Sequence, residues 1–265
     1  MSGRIRVGIG GWTYEPWRGV FFPPDLPQTK ELEYAASQLT AIEVNGTFYG
    51  NQSPSTFRKW RDSAPDDFVF ALKAPRYAVN RKVLTDAKDS IDKFFASGLE
   101  ELGPKLGPIL WQLAGTKKFD AADIAAYFEL FPHEVGGIKL RHALEARHES
   151  FRDPAMVKLA RDAGVALVFA DSAKYPTLAD VTADFVYARL EDAKEEVETG
   201  YTADELSGWA EVAKTWAAGG APEGLPYVED AKPPKKARDV FVFMINGAKV
   251  RAPAAAKALI ERVGR

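Results

Sequence analysis

The sequence predicts a (β/α)8 barrel, and three observations carry that prediction. Short apolar runs alternate with helix-period segments along the whole 265-residue chain. The alternation repeats eight times, and strict strand-then-helix order gives a parallel sheet with its helices outside. A chain of about 250 residues with eight such units closes most naturally into a barrel. The rival is an open doubly wound sheet, whose dinucleotide-binding form needs G-x-G-x-x-G after its first strand. Here Gly8, Gly10 and Gly11 run into Trp12, Thr13 and Tyr14. The spacing fails. Residues 1–265 therefore read as one barrel domain, with no internal repeat beyond the rhythm itself.

Each unit has its own justification. The apolar run at 5–11 precedes a helical stretch at 29–39, and the run at 41–48 precedes a helix at 53–63. Ser53 and Pro54 suit the N-cap and first helical position of that helix. A strand at 68–74 leads to a helix at 90–102, and one at 108–113 leads to 121–131 with Asp120 as N-cap. The run at 142–148 precedes a helix at 153–163 that Gly164 terminates. A strand at 166–172 is followed by a weak helical stretch at 177–181. The last two units pair strands at 185–191 and 240–246 with helices at 203–218 and 254–263. Residues 219–239 resist the scheme, with four prolines, three glycines and the basic residues Lys232, Lys235, Lys236 and Arg238. So long a connection reads as a mobile surface insertion or as a lid.

Composition removes several functions. Thirty-five Lys and Arg against 37 Asp and Glu leave a charge of −2, which excludes a wholesale polyanion binder. The absence of cysteine removes disulfides, thiolate zinc sites and a cysteine nucleophile. No apolar run approaches the roughly 20 residues of a membrane span, and no secretory h-region follows the start. A cytoplasmic protein without membrane contact is expected. The only histidines are His133, His142 and His148, without H-E-x-x-H, which is too few for a multi-zinc centre. There is no G-x-x-x-x-G-K-[ST] phosphate loop.

Strand parity sorts the polar positions, because successive side chains point to opposite faces. Glu43 and Asn45 share one face of the second strand, opposite Ile42 and Val44. Lys73 stands in line with Ala71, Gln112 with Leu110, Glu145 with Arg147, and Arg189 with Tyr187. Asp171 and Ser172 close the sixth run, and Asn246 follows Met244 on the eighth. All lie near the C-terminal ends of their runs, where this architecture assembles active sites. Any one of them alone is as well read as a loop brace or a structural ion pair; together they read as a pocket. Arg147 should face inward and touch a carboxylate, because an unpaired buried guanidinium is strongly destabilising. The fifth strand should end at about Arg147, leaving His148 on the loop as a proton carrier or as a brace. Ser172, His148 and Asp171 have the composition of a nucleophilic triad, but no G-x-S-x-G elbow surrounds the serine. Trp12, Tyr14, Trp17, Phe21 and Phe22 crowd the first loop, as a hydrophobic plug or as a stacking surface for a sugar or base.

At these residues the chain resembles the YecE-like family (domain of unknown function family 72). The resemblance runs through VGIGGWTYEPWRGVFFP, IEVNGTFYGNQSPSTFRKW, FVFALKAPRY, ILWQL, LRHALEARHESF, FADS and YARLE, with Tyr201 and Trp209 beyond. It implies a TIM-type barrel. It also implies that Trp12, Glu43, Asn45, Lys73, Gln112, Glu145, Arg147, His148, Asp171, Ser172 and Arg189 occupy the family's shared positions. The chain departs from the pattern at Gly46, at Ala114–Gly115 in place of two prolines, and at Ile245, where the family often has the first of two asparagines. The resemblance supplies a site and not a reaction.

The reading expected from these residues is an enzyme acting on a small anionic metabolite, phosphorylated ones included. Glu145 would be the general acid or base with Glu43 its partner, and His148 and Asp171 would assist. Trp12, Asn45, Lys73, Gln112, Arg147, Ser172, Arg189 and Asn246 would bind substrate. No cofactor is expected; a single Mg²⁺ or Mn²⁺ on Glu43, Glu145 and Asp171 is the alternative. A metal-dependent nuclease-like protein acting on nucleic acid, and a non-catalytic metabolite-binding module, are the other two classes.

Overall fold

The computed structural model describes residues 2–230 and 233–264. Lys232 of the basic cluster lies outside them. The strands are β1 (Ile5–Gly10), β2 (Ala41–Val44), β3 (Val69–Lys73), β4 (Leu106–Gln112) and β5 (His142–Glu145), then β6 (Ala166–Leu167), β7 (Phe169–Asp171), β8 (Phe185–Leu190) and β9 (Asp239–Met244). They form one parallel sheet in the order β6-β5-β4-β3-β2-β1-β9-β8-β7. β6 and β7 are halves of the sixth run, broken at Val168. β6 pairs with β5, β7 pairs with β8, and the Val168 N–H donates to the Leu144 carbonyl at 2.9 Å. That run joins the two ends of the sheet. The molecule is a (β/α)8-type barrel.

Inside, small side chains on one side meet large ones on the other. Ala41, Ala71, Ala143 and Ala166 are buried in one cluster with Phe185, Tyr187, Phe241 and Phe243. β1 presents Gly8 to this interior, and a Cβ there would lie 2.0 Å from the Ala41 carbonyl oxygen. Outward-facing Val7, Ile9, Ile42, Val44, Trp111 and Leu144 pack under the helices in a second cluster.

The helices are α1 (Glu31–Gln38), α2 (Gly46–Tyr49), α3 (Pro54–Asp62), α4 (Arg76–Val79), α5 (Lys88–Phe95), α6 (Ala121–Phe128), α7 (Pro154–Asp162), α8 (Ala203–Ala217) and α9 (Ala252–Val263). The expected caps form: Ser53 accepts from the Thr56 N–H, and Asp120 from those of Ala122 and Asp123. The helix expected at 90–102 instead ends at Phe95. Gly98 then adopts φ 94°, against Pro54, and a 3-10 turn spans Leu99–Lys105. Among the described residues, no helix is long and apolar enough to cross a membrane.

The weak helix at 177–181 does not form, and short polar side chains explain why. The Thr177 hydroxyl donates to the Ala170 carbonyl, and the Thr182 hydroxyl bridges Val165 and Leu167. Such bonds compete with the helical ladder. The buried Asp180 carboxylate accepts from the Val228 and Glu229 N–H groups at 2.8 and 3.0 Å. These two belong to the insertion, whose Leu225, Tyr227 and Val228 pack on the core cluster that holds Leu178 and Ala179. The insertion thus covers the sixth run where a helix would lie. It enters β9 at the N-terminal mouth of the barrel, and none of its described residues lines the cavity at the other mouth. It is not a lid.

Asp180→Ala leaves two N–H groups without their acceptor, at about 1–3 kcal/mol for each that stays buried. Thermal unfolding should shift down by several degrees, and amide exchange should quicken at Val228 and Glu229. An unchanged melting temperature with unchanged protection would show that the insertion is held by something else.

Candidate active site

Inward parity brings the strand-end side chains together around Arg189. Its side chain is 2% exposed. Nε and Nη2 donate to the two oxygens of Glu43 at 3.1 and 3.2 Å, and Nη1 donates to Glu145 at 2.7 Å and Glu191 at 2.8 Å. One cation from β8 is thereby gripped by carboxylates from β2, β5 and the end of its own strand. The remaining carboxylate positions are also filled. Tyr187 donates its hydroxyl to Glu43 at 2.8 Å, Gln112 donates to Glu145 at 2.8 Å, and Arg147 Nε donates to Glu145 at 2.6 Å.

Burial opposes charge throughout this cluster, and partners decide the outcome. For Arg189 burial is outweighed by Glu145, Glu43 and Glu191, which raise its pKa. For Glu145 burial is outweighed by Arg189, Arg147 and Gln112, which hold it below the ordinary carboxylate value. Glu191 goes the other way. Burial, helped by the charge of Glu145, lifts it despite Arg189 and Arg147.

Lys73 differs from all of these. It is 9% exposed, its Nζ sits 4.7 Å from the Phe48 ring centroid, and no hydrogen bond or ion pair satisfies it among the described residues. Burial lowers its pKa; Glu43 pulls the other way, and Arg189 adds to the fall. Glu43 and Glu145 are committed to Arg189 and do not reach it.

A cavity of about 590 Å³ opens over this cluster. Lys73, Gln112, Arg147 and Arg189 line it from the strand ends. Trp12, Asn45, Asn246 and Lys249 line it from the loops. Arg147 spans the edge, with 17% of its side chain exposed. Its Nη1 is 3.5 Å from the Tyr175 hydroxyl, and its guanidinium lies 4.2 Å from that ring's centroid. A larger cavity of about 790 Å³ sits at the opposite mouth around Arg4 and Arg6. It is remote from the strand C-terminal ends where barrel chemistry is built.

Several expected members stand elsewhere. Asp171 shares the outward face of Phe169; burial raises its pKa, Asp192, Glu191 and Glu205 add to the rise, and Lys194 opposes it. It is not beside Glu43 and Glu145, whose oxygens are already held by Arg189. Among the described residues no group of three His, Asp or Glu side chains is placed to hold a metal ion. The fifth strand ends at Glu145, two residues earlier than expected. His148 caps the 3-10 turn Glu149–Phe151, accepting the Ser150 N–H at 3.1 Å on Nδ1, which is the bracing role. Ser172 bonds Glu191 and accepts the Lys174 N–H, and no elbow forms around it. On β9 Phe241, Phe243 and then Ile245 face inward, so Met244 lies on the other face. Asn246 reaches the cavity through a left-handed turn, φ 60°. Trp17, Phe21 and Phe22 are buried and form the plug, while Trp12 stands edge-on to Trp60 and lines the cavity. Glu191, Tyr187 and Lys249 were not expected. Glu191 was findable, since it shares the parity of Arg189 two residues on.

The family model described as "Protein of unknown function DUF72" matches residues 6–265. The chain belongs to this family. Escherichia coli K12 YecE is 24% identical over 147 residues, covering 56% of this chain and 50% of that protein. Bacillus subtilis YunF is 27% identical over 156 residues, covering 57% and 53%. These matches span about half the length of those relatives. A DUF72 family protein from Thermotoga maritima superposes with a TM-score of 0.72 at 22% identity, over 97% of this chain and 96% of that one. The family's barrel is therefore this barrel.

Two substitutions separate the carboxylates that hold Arg189. Glu145 has a depressed pKa, so its stabilisation is in place above the ordinary value of 4.5 and is lost as pH falls through the depressed one. Glu191 has a raised pKa, so its ionisation costs stability as pH climbs from 4.5 through the raised value. At pH 7 Glu145→Gln should lose about 3 kcal/mol, as expected for breaking a buried pair. Glu191→Gln should melt at or above the parent, with the gap closing in acid. Equal losses in both variants would contradict the assignment.

Proposed function

We propose that this chain is an enzyme that binds a small anionic molecule in the 590 Å³ cavity and moves a proton on it through Lys73. One observation carries the reading. Lys73, Arg147, Arg189 and Lys249 line the cavity, and among the described residues no carboxylate does. The acidic residues stand behind Arg189, so the wall offered to a ligand is cationic. A cavity between about 300 and 1,000 Å³ suits a metabolite rather than a polymer.

The division of labour follows from what each group already holds. Arg147 gives Nε to Glu145 and keeps its Nη edge weakly engaged, which suits a carboxylate or phosphate. Asn45, Gln112, Asn246 and Trp12 supply neutral contacts that orient the ligand. Glu43 and Glu145 are the expected acid–base pair, but each of their oxygens already accepts a hydrogen bond. Their role is to position Arg189 and Arg147. Lys73 is the buried group free to exchange a proton, and burial brings an amine toward the range in which it acts as a base.

Titration calorimetry with inorganic phosphate, simple carboxylates and sugar phosphates tests the binding half of the proposal. Saturable binding is expected for at least one class, weakened tenfold or more by Arg147→Met, about 1.4 kcal/mol. Binding that is indifferent to Arg147→Met, or a parent protein that binds none of these anions, would overturn it.

A further inference from the structure

Two lysines are buried among the described residues, and their surroundings are opposite. Lys105 donates from Nζ to the Arg61 and Ala64 carbonyls, both at 2.7 Å, so its charge is structural. Lys73 is 9% exposed and faces the cavity, its Nζ is 4.7 Å from the Phe48 ring centroid, and among the described residues no oxygen accepts from it. A largely buried amine with no oxygen acceptor is shifted toward its neutral form, and a neutral amine is a nucleophile. Four groups bear on its charge: Glu43 and Glu145 favour the ammonium, whereas Arg189 and Arg147 favour the amine. The two carboxylates that would otherwise pair with it are held by Arg189. Lys73 also ends β3 in the same cavity as Arg147.

We infer that Lys73 forms a covalent imine with the carbonyl carbon of a small oxo-anion, a ketone or aldehyde carrying a carboxylate or phosphate. This deepens the proposed function and rests on it, since Arg147 must hold the anionic end. The Nζ lone pair attacks the carbonyl carbon, the C–N bond forms, and the carbonyl π pair moves to oxygen, which takes a proton from water. The nitrogen loses a proton, and the hydroxyl of the resulting carbinolamine leaves as water once protonated. Ketone, amine and one proton become iminium and water, with no oxidant or reductant needed. The iminium then acts as the electron sink: water in the cavity takes the proton of the adjacent C–H, and the freed electron pair forms the enamine, so the imine is how Lys73 promotes the proton movement proposed above.

Reductive trapping decides the matter. The full chain is incubated with pyruvate or dihydroxyacetone phosphate and cyanoborohydride, then read by intact mass and peptide mapping. Lactate and glycerol 3-phosphate, which carry a hydroxyl in place of the ketone, serve as competitors and in parallel binding titrations. A saturable adduct is expected on the Lys73 peptide, forming at least tenfold faster than on any other lysine. It should be lost in both Lys73→Arg and Lys73→Met and slowed by these competitors. Saturable binding of the competitors with no preferential Lys73 adduct would sink the covalent step and leave the anion site standing. Failure of every one of these anions to bind or react would remove both. Equal labelling of surface lysines would likewise count against the inference.

Discussion

A guanidinium at the centre of a barrel has to be compensated, and the compensation of Arg189 organises the rest of this pocket. Removing such a charge from water costs several kcal/mol unless oxygens replace the lost hydration. Here they come from Glu43 on β2, Glu145 on β5 and Glu191 beyond β8. Two of those carboxylates stand on staves distant from Arg189 in sequence, so the interaction ties strands across the barrel. Gln112, Tyr187 and Arg147 complete the oxygens' valence. The cluster is a closed network, and closed buried networks fix one arrangement.

Closure has a chemical consequence. Carboxylates that face a central arginine cannot also face the cavity, so the wall left for a ligand carries positive charge. It also deprives Lys73 of an anionic partner although two carboxylates are close enough to influence it. Which amine stands unpaired among the described residues is thus set by what Arg189 has taken. A fold shared with the Thermotoga maritima protein supplies the barrel in which these charges are set.

Most of the fold was legible because a two-residue period and regular helix breaks report local geometry. The same parity placed Glu43, Lys73, Gln112, Glu145, Arg147 and Arg189 on the inner face. It failed where the chain leaves the extended state. The sixth run breaks at Val168, and Asp171 belongs to its outer face. Past Met244 the left-handed turn at Asn246 ends any parity argument. At 177–181 the sequence reads as a poor helix because the partners of Asp180, Val228 and Glu229, lie about fifty residues away. Nor does parity say which opposite charges pair. That Glu145 is held by Arg189 and Lys73 is left free depends on reach across the barrel, which only three-dimensional placement supplies.

The central claim is that Arg189 holds the carboxylates and leaves the Lys73 amine unpaired. ¹⁵N NMR of the lysine side-chain nitrogens, followed through pH with Lys73→Arg to assign the signal, tests it most directly. The account requires Lys73 to titrate below the ordinary value of 10.5, because burial and the two arginines outweigh Glu43 and Glu145. A midpoint at or above 10.5 would mean that Lys73 is ion-paired with one of those carboxylates, and the account would be contradicted.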